Sequence, residues 1–270
     1  MQLEINVIDA FTDTVFKGNA AAVIITDDWL TEDLMQSIAF ENNLSETAFI
    51  VADDEGLYHI RWFSPFTEIA FCGHATLASA FVLFKKNPTV ETIQFSAKAV
   101  GVLTITQTDT GKIQMDFPNR MPERIDNIPE ALSAGLSIAP TAVYCNEQAY
   151  FVVYNSESDV LTVDRDNEKL KELAPRDVVV TCQPESKDYN QYDFISRYFW
   201  PANGGDEDPV TGSVHTGLAP FWAQRLGKNE LCAYQASSRG GVLDCVVVGN
   251  RVLISGNAVQ YMTGFITVEG

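Results

Sequence analysis

The chain alternates between short runs of β-forming apolar residues and a few stretches whose apolar residues recur at helical spacing. The β-forming runs are bounded by Gly, Pro, Asn and Asp, which is typical of strands. Strands are predicted at 3–9, 20–26, 47–52, 57–63, 90–97, 141–145, 149–154, 178–182, 192–199 and 231–236. Short helices are predicted at 31–41, 128–135 and 166–173. The pattern therefore indicates a strand-rich chain with few helices.

Two segments about half a chain apart resemble each other. Residues 101–115 read GVLTITQTDTGKIQM and residues 241–255 read GVLDCVVVGNRVLIS, at an offset of 140 positions. Each has β-forming residues on both sides of a turn signal, Thr110-Gly111 in the first and Gly249-Asn250 in the second. Both segments are therefore predicted to form β-hairpins.

A second match lies at nearly the same offset. Phe63-Ser64-Pro65 leads to Gly73, and Phe199-Trp200-Pro201 leads to Gly212, which is 139 positions later. In both copies the glycine opens an apolar segment of helical period, and the second segment contains Pro220, which is expected to bend it. A chance match is the alternative, but two matches at one offset favour a duplication.

The duplication predicts an α+β fold of two similar domains, each a strand-rich sheet wrapped about one long apolar helix. The boundary is expected within FPNRMPER, at 117–124. We assign residues 1–117 to an N-terminal domain, completed by a C-terminal strand at 264–270, and residues 118–263 to a C-terminal domain.

Composition and charge narrow the function classes. The chain has 270 residues, 46% of them hydrophobic, which is enough core for one large domain or two smaller ones. A net charge of −18 repels phosphate backbones and anionic lipid, so neither nucleic acid nor a membrane surface is an expected partner. No apolar run approaches the roughly 20 residues that cross a bilayer, and the N-terminus has no basic segment typical of export.

The cysteines and histidines indicate reduced thiols and no metal. Five cysteines at wide spacing, without any Cys-x-x-Cys, favour a cytoplasmic protein over a disulfide-linked one. Because the three histidines do not pair with cysteine at the usual ligand spacing, no zinc site is predicted.

The two glycine-led helix starts are candidate anion-binding elements. Gly73 and Gly212 would present unpaired backbone N–H groups at the positive ends of helix dipoles, facing one another across a domain cleft. His74 and Ser213, which follow the glycines, add side chains that can donate hydrogen bonds. Ordinary helix starts are the alternative for each glycine alone, and the pairing is what favours a site.

Three further side chains could carry chemistry. Glu46 lies at the start of an apolar strand, where a partly desolvated carboxyl group would suit a general acid/base; a surface acid is the alternative. Asp208 is either a turn residue before Pro209 or a second acid/base or polar anchor. Cys72 is close to His74 in sequence, but residues two apart are expected to point in different directions, which favours an inert buried thiol.

These motifs resemble those of the PhzF-like isomerases of phenazine biosynthesis, which are related to diaminopimelate epimerase. The matching stretches extend over the whole chain: 8–24, 41–51, 61–79, 115–122, 196–222, 237–243 and 256–259. The resemblance implies two similar domains, each a mixed sheet or incomplete barrel around a central helix, with the active site between them. It also implies a homodimer and no cofactor.

The same resemblance implies the roles of the site residues. The family's catalytic glutamate falls on Glu46, and its other active-site positions fall on His74, Asp208 and Ser213. Gly73 and Gly212 would supply backbone donors next to Cys72 and Thr211, the remaining substrate-contacting positions.

The residues that precede the two glycines indicate whether the chain could use a pair of thiols to racemise its substrate. In diaminopimelate epimerase a cysteine precedes each glycine, whereas here those positions hold Cys72 and Thr211. A threonine hydroxyl cannot replace a thiolate as base at neutral pH, so two-thiol racemisation is disfavoured.

The resulting hypothesis is a cytoplasmic, cofactor-independent isomerase that moves a proton within a small unsaturated carboxylic acid, with Glu46 as general acid/base. Two alternatives stay open. One is a racemase or epimerase that uses Glu46 with Cys72, and the other is a catalytically silent binding or scaffold protein of the same fold.

Overall fold

The computed structural model describes residues 1–53 and 56–269, which form mixed β-sheet with few helices. This is an α+β architecture. The chain divides into two compact units. The first comprises Met1–Asp116 and the chain from Ser255 onward, and the second comprises Phe117–Ile254.

The first unit is built on a mixed sheet. Its elements are β1 (Gln2–Ala10), β2 (Asn19–Thr26), α1 (Glu32–Asn42), β3 (Glu46–Ala52), β4 (Tyr58–Phe63), β5 (Glu68–Ile69), α2 (Gly73–Lys86), β6 (Thr92–Ala97), β7 (Gly101–Gln107) and β8 (Ile113–Pro118). β1 pairs antiparallel with β2, β2 parallel with β3, and β3 antiparallel with β4. β4 then pairs antiparallel with β5 and parallel with β6, which pairs antiparallel with β7.

The second unit has the following elements: β9 (Glu123–Arg124), α3 (Glu130–Ala134), β10 (Ala142–Cys145), β11 (Ala149–Val153), α4 (Glu157–Thr162), α5 (Asn167–Leu170), β12 (Asp177–Cys182), β13 (Phe194–Phe199), β14 (Glu207–Asp208), α6 (His215–Leu226), β15 (Glu230–Gln235), β16 (Gly241–Val248) and β17 (Arg251–Gly256). Single 3₁₀ turns lie at Lys171–Leu173 and Pro201–Asn203. β18 (Ala258–Thr267) follows and belongs to the first unit.

The strands of the second unit repeat the order of pairings found in the first. β10 pairs antiparallel with β11, β11 parallel with β12, and β12 antiparallel with β13. β13 pairs antiparallel with β14 and parallel with β15, which pairs antiparallel with β16. The duplication of the chain stays a prediction, and this shared order of pairings is the structural observation that supports it.

One ion pair also recurs at matching positions. Arg61 in β4 donates to Glu68 in β5 through Nε at 2.7 Å, and Arg197 in β13 donates to Glu207 in β14 through Nε at 2.8 Å. In each unit, therefore, an arginine pairs with a glutamate of the short strand that comes before the loop leading to the long helix.

The first unit includes a longer C-terminal segment than the sequence predicts. The C-terminal strand predicted to complete the N-terminal domain covers only 264–270, whereas β18 pairs with β1 from Ala258, opposite Ala10, to Thr267, opposite Gln2. The register shifts once, between Val7 and Ile8. This long antiparallel pairing explains why the unit boundary falls at Ser255; Gly270 lies outside the described residues.

The two long helices start differently. α2 begins at Gly73 as predicted, and it packs against β1, β2, β3 and β6 with most of its side chains buried. α6 begins at His215, three residues after Gly212, so the expectation that Gly212 itself opens the helix is wrong. The reason is a tight turn, because His215 N–H donates to the Gly212 carbonyl and Thr216 N–H to the Ser213 carbonyl before regular α-helical bonds begin.

Most predicted elements are confirmed within one or two residues, and one helix was missed. The turns of both predicted hairpins contain a glycine with positive φ, Gly111 at 81° and Gly249 at 57°. The missed helix is α4, whose N-cap Ser156 accepts a hydrogen bond from the N–H of Asp159. No helix in the described ranges combines the length and the apolar character needed to cross a membrane.

Candidate functional site

Glu46 is the first residue of β3 and is almost fully buried. It pairs with Ala21 of the parallel neighbour β2, and its relative exposure is 8%. The surface-acid alternative for Glu46 is therefore wrong. Apolar residues follow it along β3, so the carboxyl group lies at the buried end of an apolar strand.

His74 faces Glu46 from the first turn of α2. Its Nε2 lies 2.8 Å from Oε2 of Glu46, and the ring is 5% exposed. Although the two atoms are close, no donor among residues 1–53 and 56–269 is aligned to hydrogen-bond to this buried Oε2. A buried carboxylate oxygen without an aligned donor is costly to keep in a fold, and such atoms are common where a ligand or a transferred proton belongs.

Cys72 completes a three-residue cluster. Its Sγ lies 3.4 Å from Nδ1 of His74, so the expectation that the two side chains point apart is wrong. That expectation assumed regular spacing, whereas Cys72 is the N-cap of α2, with extended backbone angles of φ −139° and ψ 114°. The predicted burial of the thiol is confirmed, since Cys72 is 7% exposed.

Asn19 fixes the histidine from its other side. Its amide Nδ2 lies 3.1 Å from Nδ1 of His74, and its Oδ1 accepts a hydrogen bond from Ser45 Oγ at 3.0 Å. With the amide oriented by Ser45, Asn19 donates to Nδ1 of the neutral ring, whose own proton is then on Nε2, the nitrogen nearer to Glu46.

The cluster shifts two ionisation equilibria. Burial by itself lowers the pKa of His74, but the neighbouring Cys72 and Glu46 outweigh it, and the pKa is raised well above its usual value. Burial, together with the charge of Glu46, raises the pKa of the Cys72 thiol to about 11. Because Cys72 is a protonated thiol at neutral pH, the charge of Glu46 is what favours the proton on His74 there, and the charge of Cys72 adds to it only once the thiol has lost its proton.

The same three side chains form a compact donor set. One ligand atom each from Glu46, Cys72 and His74 lie within 4.8 Å of one another. This group could not be predicted from the usual ligand spacings of histidine and cysteine, because Glu46 lies in a distant part of the chain. To bind a metal ion, Cys72 would first have to lose a proton that its raised pKa retains.

The second unit holds the other predicted residues in a hydrogen-bonded loop. Asp208 is half-buried at the end of β14, opposite Tyr198, and its Oδ2 accepts a hydrogen bond from the Thr211 hydroxyl. Gln235 of β15 fastens the loop: its Oε1 accepts from the N–H of Thr211 at 2.9 Å, and its Nε2 donates to the Asp208 carbonyl at 2.8 Å. Asp208 is thus a paired strand residue rather than a simple turn residue.

Ser213 lies in the tight turn before α6 and is half-buried. Its Oγ accepts a hydrogen bond from Nε2 of Gln148 at 2.8 Å. Gln148 in turn donates to the hydroxyl of Tyr198 at 3.3 Å. Gly212, in the same turn, supplies the carbonyl that accepts a hydrogen bond from the N–H of His215.

Several residues of these networks were missed by the sequence analysis. They share one property, which is that each belongs to a hydrogen-bonded network that reaches a predicted site residue: Asn19, Ser45, Gln148, Asp177, Tyr198 and Gln235. Asn19, Ser45 and Tyr198 carried a signal, because each falls inside a stretch that resembles the PhzF-like family.

A groove of about 870 Å³ lies elsewhere on the first unit. It is lined by Trp29, Arg61, Trp62 and Lys98 among others, and not by Glu46, Cys72 or His74. Its guanidinium, on Arg61, is engaged by Glu32 and Glu68. We therefore do not place the candidate chemistry there.

Comparison with known proteins assigns the chain to a family. Residues 8–264 match the profile of the family described as phenazine biosynthesis-like protein. The chain belongs to the phenazine biosynthesis-like protein family. The resemblance drawn from the sequence motifs is thereby confirmed.

Individual members of the phenazine biosynthesis-like family are similar over their whole length. An uncharacterized isomerase of Pseudomonas aeruginosa is 45% identical over 264 residues, which cover 98% of each chain. The crystal structure of a PhzF-family phenazine biosynthesis protein from Enterococcus faecalis superposes with a TM-score of 0.92 at 42% identity, covering 99% of this chain and 100% of that one. At this general level the expected enzyme class, isomerase, is confirmed.

More distant structures share the fold alone. A protein of Pseudomonas aeruginosa described as a predicted epimerase superposes with a TM-score of 0.73 at 17% identity, over 99% of this chain and 100% of that one. The phenazine biosynthesis-like family and this epimerase-named protein therefore have a common architecture.

Proposed function

We propose that the protein is a cofactor-independent isomerase that moves a proton within a small unsaturated carboxylic acid, with Glu46 as the general acid/base. The observation that carries the proposal is the buried Oε2 of Glu46, which lacks an aligned donor and lies 2.8 Å from Nε2 of His74. A carboxylate in this state can take a proton from a carbon acid and hold it away from water.

The proposed step conserves electrons and needs no co-reactant. Glu46 removes a proton from one carbon next to the unsaturated system, and the electron pair of that C–H bond moves into a conjugated carbanion. The carboxylic acid of Glu46 then returns the proton to another carbon, and the double bond shifts. His74, whose ring is fixed by Asn19, holds the carboxyl group in position through both transfers.

Ser213 and the backbone next to Gly73 and Gly212 are proposed to bind the carboxylate of the substrate. A hydroxyl donor and backbone N–H groups near the starts of helices favour an anion without any lysine. This matters in a chain with a net charge of −18, which repels acidic molecules over most of its surface. Asp208, held by Thr211, is proposed to orient a polar group of the substrate.

A second candidate function rests on Cys72. A racemase that used Glu46 and Cys72 as an unlike pair is favoured by the 3.4 Å contact of Sγ with Nδ1 of His74, since that nitrogen can accept a thiol proton once Asn19 no longer donates to it. It is disfavoured by the thiol pKa of about 11, because few thiolates are present at neutral pH.

The test is deuterium uptake. Wild-type protein and Glu46→Gln are incubated in D₂O with a panel of small enamine, enol and dienyl carboxylic acids, including dihydro-3-hydroxyanthranilate, and followed by NMR. We expect uptake or isomerisation with the wild type and a loss of about 10²-fold or more in the variant. Glu4→Gln, which removes the same charge from a residue of β1 in the same unit, is the matched control and should keep full activity.

The other outcomes decide against the proposal. Uptake that survives Glu46→Gln overturns the assignment of Glu46. Exchange without migration of the double bond, abolished by Cys72→Ala, favours the racemase. Ligands that bind to both proteins without any exchange across the panel favour the silent binding protein.

A further inference from the structure

A buried acid of the second unit occupies the strand position that Glu46 occupies in the first. Glu46 is the first residue of β3 and pairs with Ala21 of β2. Asp177 is the first residue of β12 and pairs with Ala149 of β11, within the same order of strand pairings. Both carboxyl groups are buried, and Asp177 is 8% exposed.

The two acids differ in their partners. Both oxygens of Asp177 accept hydrogen bonds: Oδ2 from the hydroxyl of Tyr198 at 2.7 Å and Oδ1 from Nδ2 of Asn203 at 2.8 Å. Glu46 has an oxygen without an aligned donor. An acid whose oxygens are both engaged is suited to holding its neighbours in place rather than to moving a proton.

The hydrogen bonds that start at Asp177 run in one direction. Because the Tyr198 hydroxyl donates to Asp177, its oxygen is left to accept, and it accepts from Nε2 of Gln148. Burial raises the pKa of the Tyr198 phenol well above its usual value, so that hydroxyl keeps its proton. The order of donors and acceptors thus turns the NH₂ side of the Gln148 amide, rather than its carbonyl, toward Ser213.

The direction of the network determines what Ser213 can do. Nε2 of Gln148 carries two hydrogens, and the second one is donated to Ser213 Oγ at 2.8 Å. Since Gln148 offers a donor, the hydroxyl proton of Ser213 is directed elsewhere, where it can meet an acceptor such as a carboxylate. If the amide were turned round, its carbonyl would take that proton instead.

We propose that Asp177 is a positioning residue that, through Tyr198 and Gln148, holds the Ser213 hydroxyl as a hydrogen-bond donor to the carboxylate of a ligand. The inference rests on the proposed function, in which Ser213 binds the substrate carboxylate. It extends that function from one residue to a four-residue network with a fixed direction, and it predicts a specificity for acids over neutral analogues.

The test compares a stable acid with the same molecule lacking its carboxylate. Dissociation constants of 3-hydroxyanthranilate and of 2-aminophenol are measured by ligand-observed NMR for the wild type, Ser213→Ala, Tyr198→Phe and Asp177→Asn. We expect each variant to lose about tenfold in affinity for the acid, as for one hydrogen bond to a charged group, and to bind 2-aminophenol unchanged. Asp177→Asn acts because its new NH₂ group can donate to Tyr198 and so reverse the network.

A double variant separates positioning from a general loss of structure. If Tyr198 acts through Ser213, adding Tyr198→Phe to Ser213→Ala causes no further loss, whereas independent effects multiply. Tyr154→Phe is the matched control, since it removes a buried tyrosine hydroxyl that donates to the Ile138 carbonyl in the same unit. It should leave the preference for the acid unchanged, and thermal unfolding shows whether each variant is folded.

The outcomes distinguish the two levels of the argument. A wild-type protein without preference for the acid overturns the carboxylate site of the proposed function, and this inference with it. A preference that is lost in Ser213→Ala but kept in Tyr198→Phe and Asp177→Asn leaves the proposed function standing and overturns the role of Asp177. Equal losses for both ligands in Tyr198→Phe also overturn it, since they indicate a merely structural role.

Discussion

Nε2 of His74 lies 2.8 Å from Oε2 of Glu46, and Asn19 contacts the other nitrogen of the same ring at 3.1 Å. The imidazole therefore lies between an amide that donates to it and a buried carboxylate. This arrangement makes the orientation of Glu46 depend on a residue outside the cluster, at the start of β2.

Asn19→Asp should lower turnover by about 10- to 100-fold, as for other residues that orient a catalytic group. The new carboxylate accepts from Nδ1, so in the neutral ring the proton moves there and the lone pair of Nε2 faces Glu46. The measurement is the steady-state rate with a substrate identified by deuterium uptake. Asn42→Asp is the control, because Asn42 makes its amide hydrogen bond to Thr47 in the same unit. An unchanged rate in Asn19→Asp would contradict the proposed orientation.

His74 should stabilise the fold at acidic and not at alkaline pH. Its pKa is raised in the folded protein by Cys72 and Glu46, against the opposing effect of burial. The folded state thus binds the proton more tightly than the unfolded chain. The stabilisation is complete below the unfolded pKa of about 6.5 and is lost as the pH rises through the folded value. Urea unfolding of the wild type and His74→Gln at several pH values measures this contribution. If the difference in unfolding free energy between the two proteins stays constant as the pH rises above 6.5, the prediction is wrong.

Cys72→Ala should keep isomerase turnover within about threefold of the wild type. The thiol has a pKa of about 11 and is 7% exposed, so it is neither an available base nor an accessible nucleophile at neutral pH. Iodoacetamide should accordingly inactivate the wild type slowly, with no protection by substrate. A loss of 10²-fold or more in Cys72→Ala would instead favour the unlike-pair racemase.

The features that could be predicted from the sequence are those that depend on local structure. The hairpin turns could be predicted because Gly111 and Gly249 adopt positive φ, and the start of β3 because apolar residues follow Glu46. α4 was missed because its signal is a single N-cap serine, Ser156, ahead of a weakly apolar segment.

The networks around the candidate residues could not be predicted from spacing. Asp177 and Tyr198 are 21 residues apart, and Gln148 and Ser213 are 65 apart, so only the strand pairings of the fold bring them together. The contact of Cys72 with His74 has the opposite cause. It is local, but it depends on the extended backbone of a helix N-cap, which a periodicity argument does not describe.

Removal of metal should leave activity unchanged. Although Glu46, Cys72 and His74 offer ligand atoms within 4.8 Å of one another, the proposed proton transfer uses Glu46 as a base, and a bound cation would hold its carboxylate as a ligand. Dialysis against EDTA, followed by the deuterium-uptake assay and by elemental analysis of the untreated protein, tests this. Activity that is lost in EDTA and restored by one divalent metal would overturn the proposed use of Glu46.

His215 should produce the opposite pH dependence to His74. Burial lowers its pKa to about 4, and its hydrogen bond to the Thr211 carbonyl only partly opposes the shift. Its Nε2 is buried and has no hydrogen-bond partner among the described residues. Between about pH 6.5 and pH 4 the unfolded chain therefore binds a proton that the folded protein refuses. The contribution is fully present above pH 6.5, and stability falls by up to about 3 kcal/mol as the pH drops to 4.

His215→Asn tests that contribution, because the asparagine amide can still donate to the Thr211 carbonyl but does not titrate. Urea unfolding at pH 4.5 and 7.5 should show a smaller difference in stability for His215→Asn than for the wild type. His59→Asn is the control, since it removes a partly exposed histidine of β4, whose Nε2 lies 3.3 Å from Asp53, and leaves the buried His215 in place. If His215→Asn keeps the full acid sensitivity, the buried carboxylates rather than this neutral imidazole account for it, and the prediction is wrong.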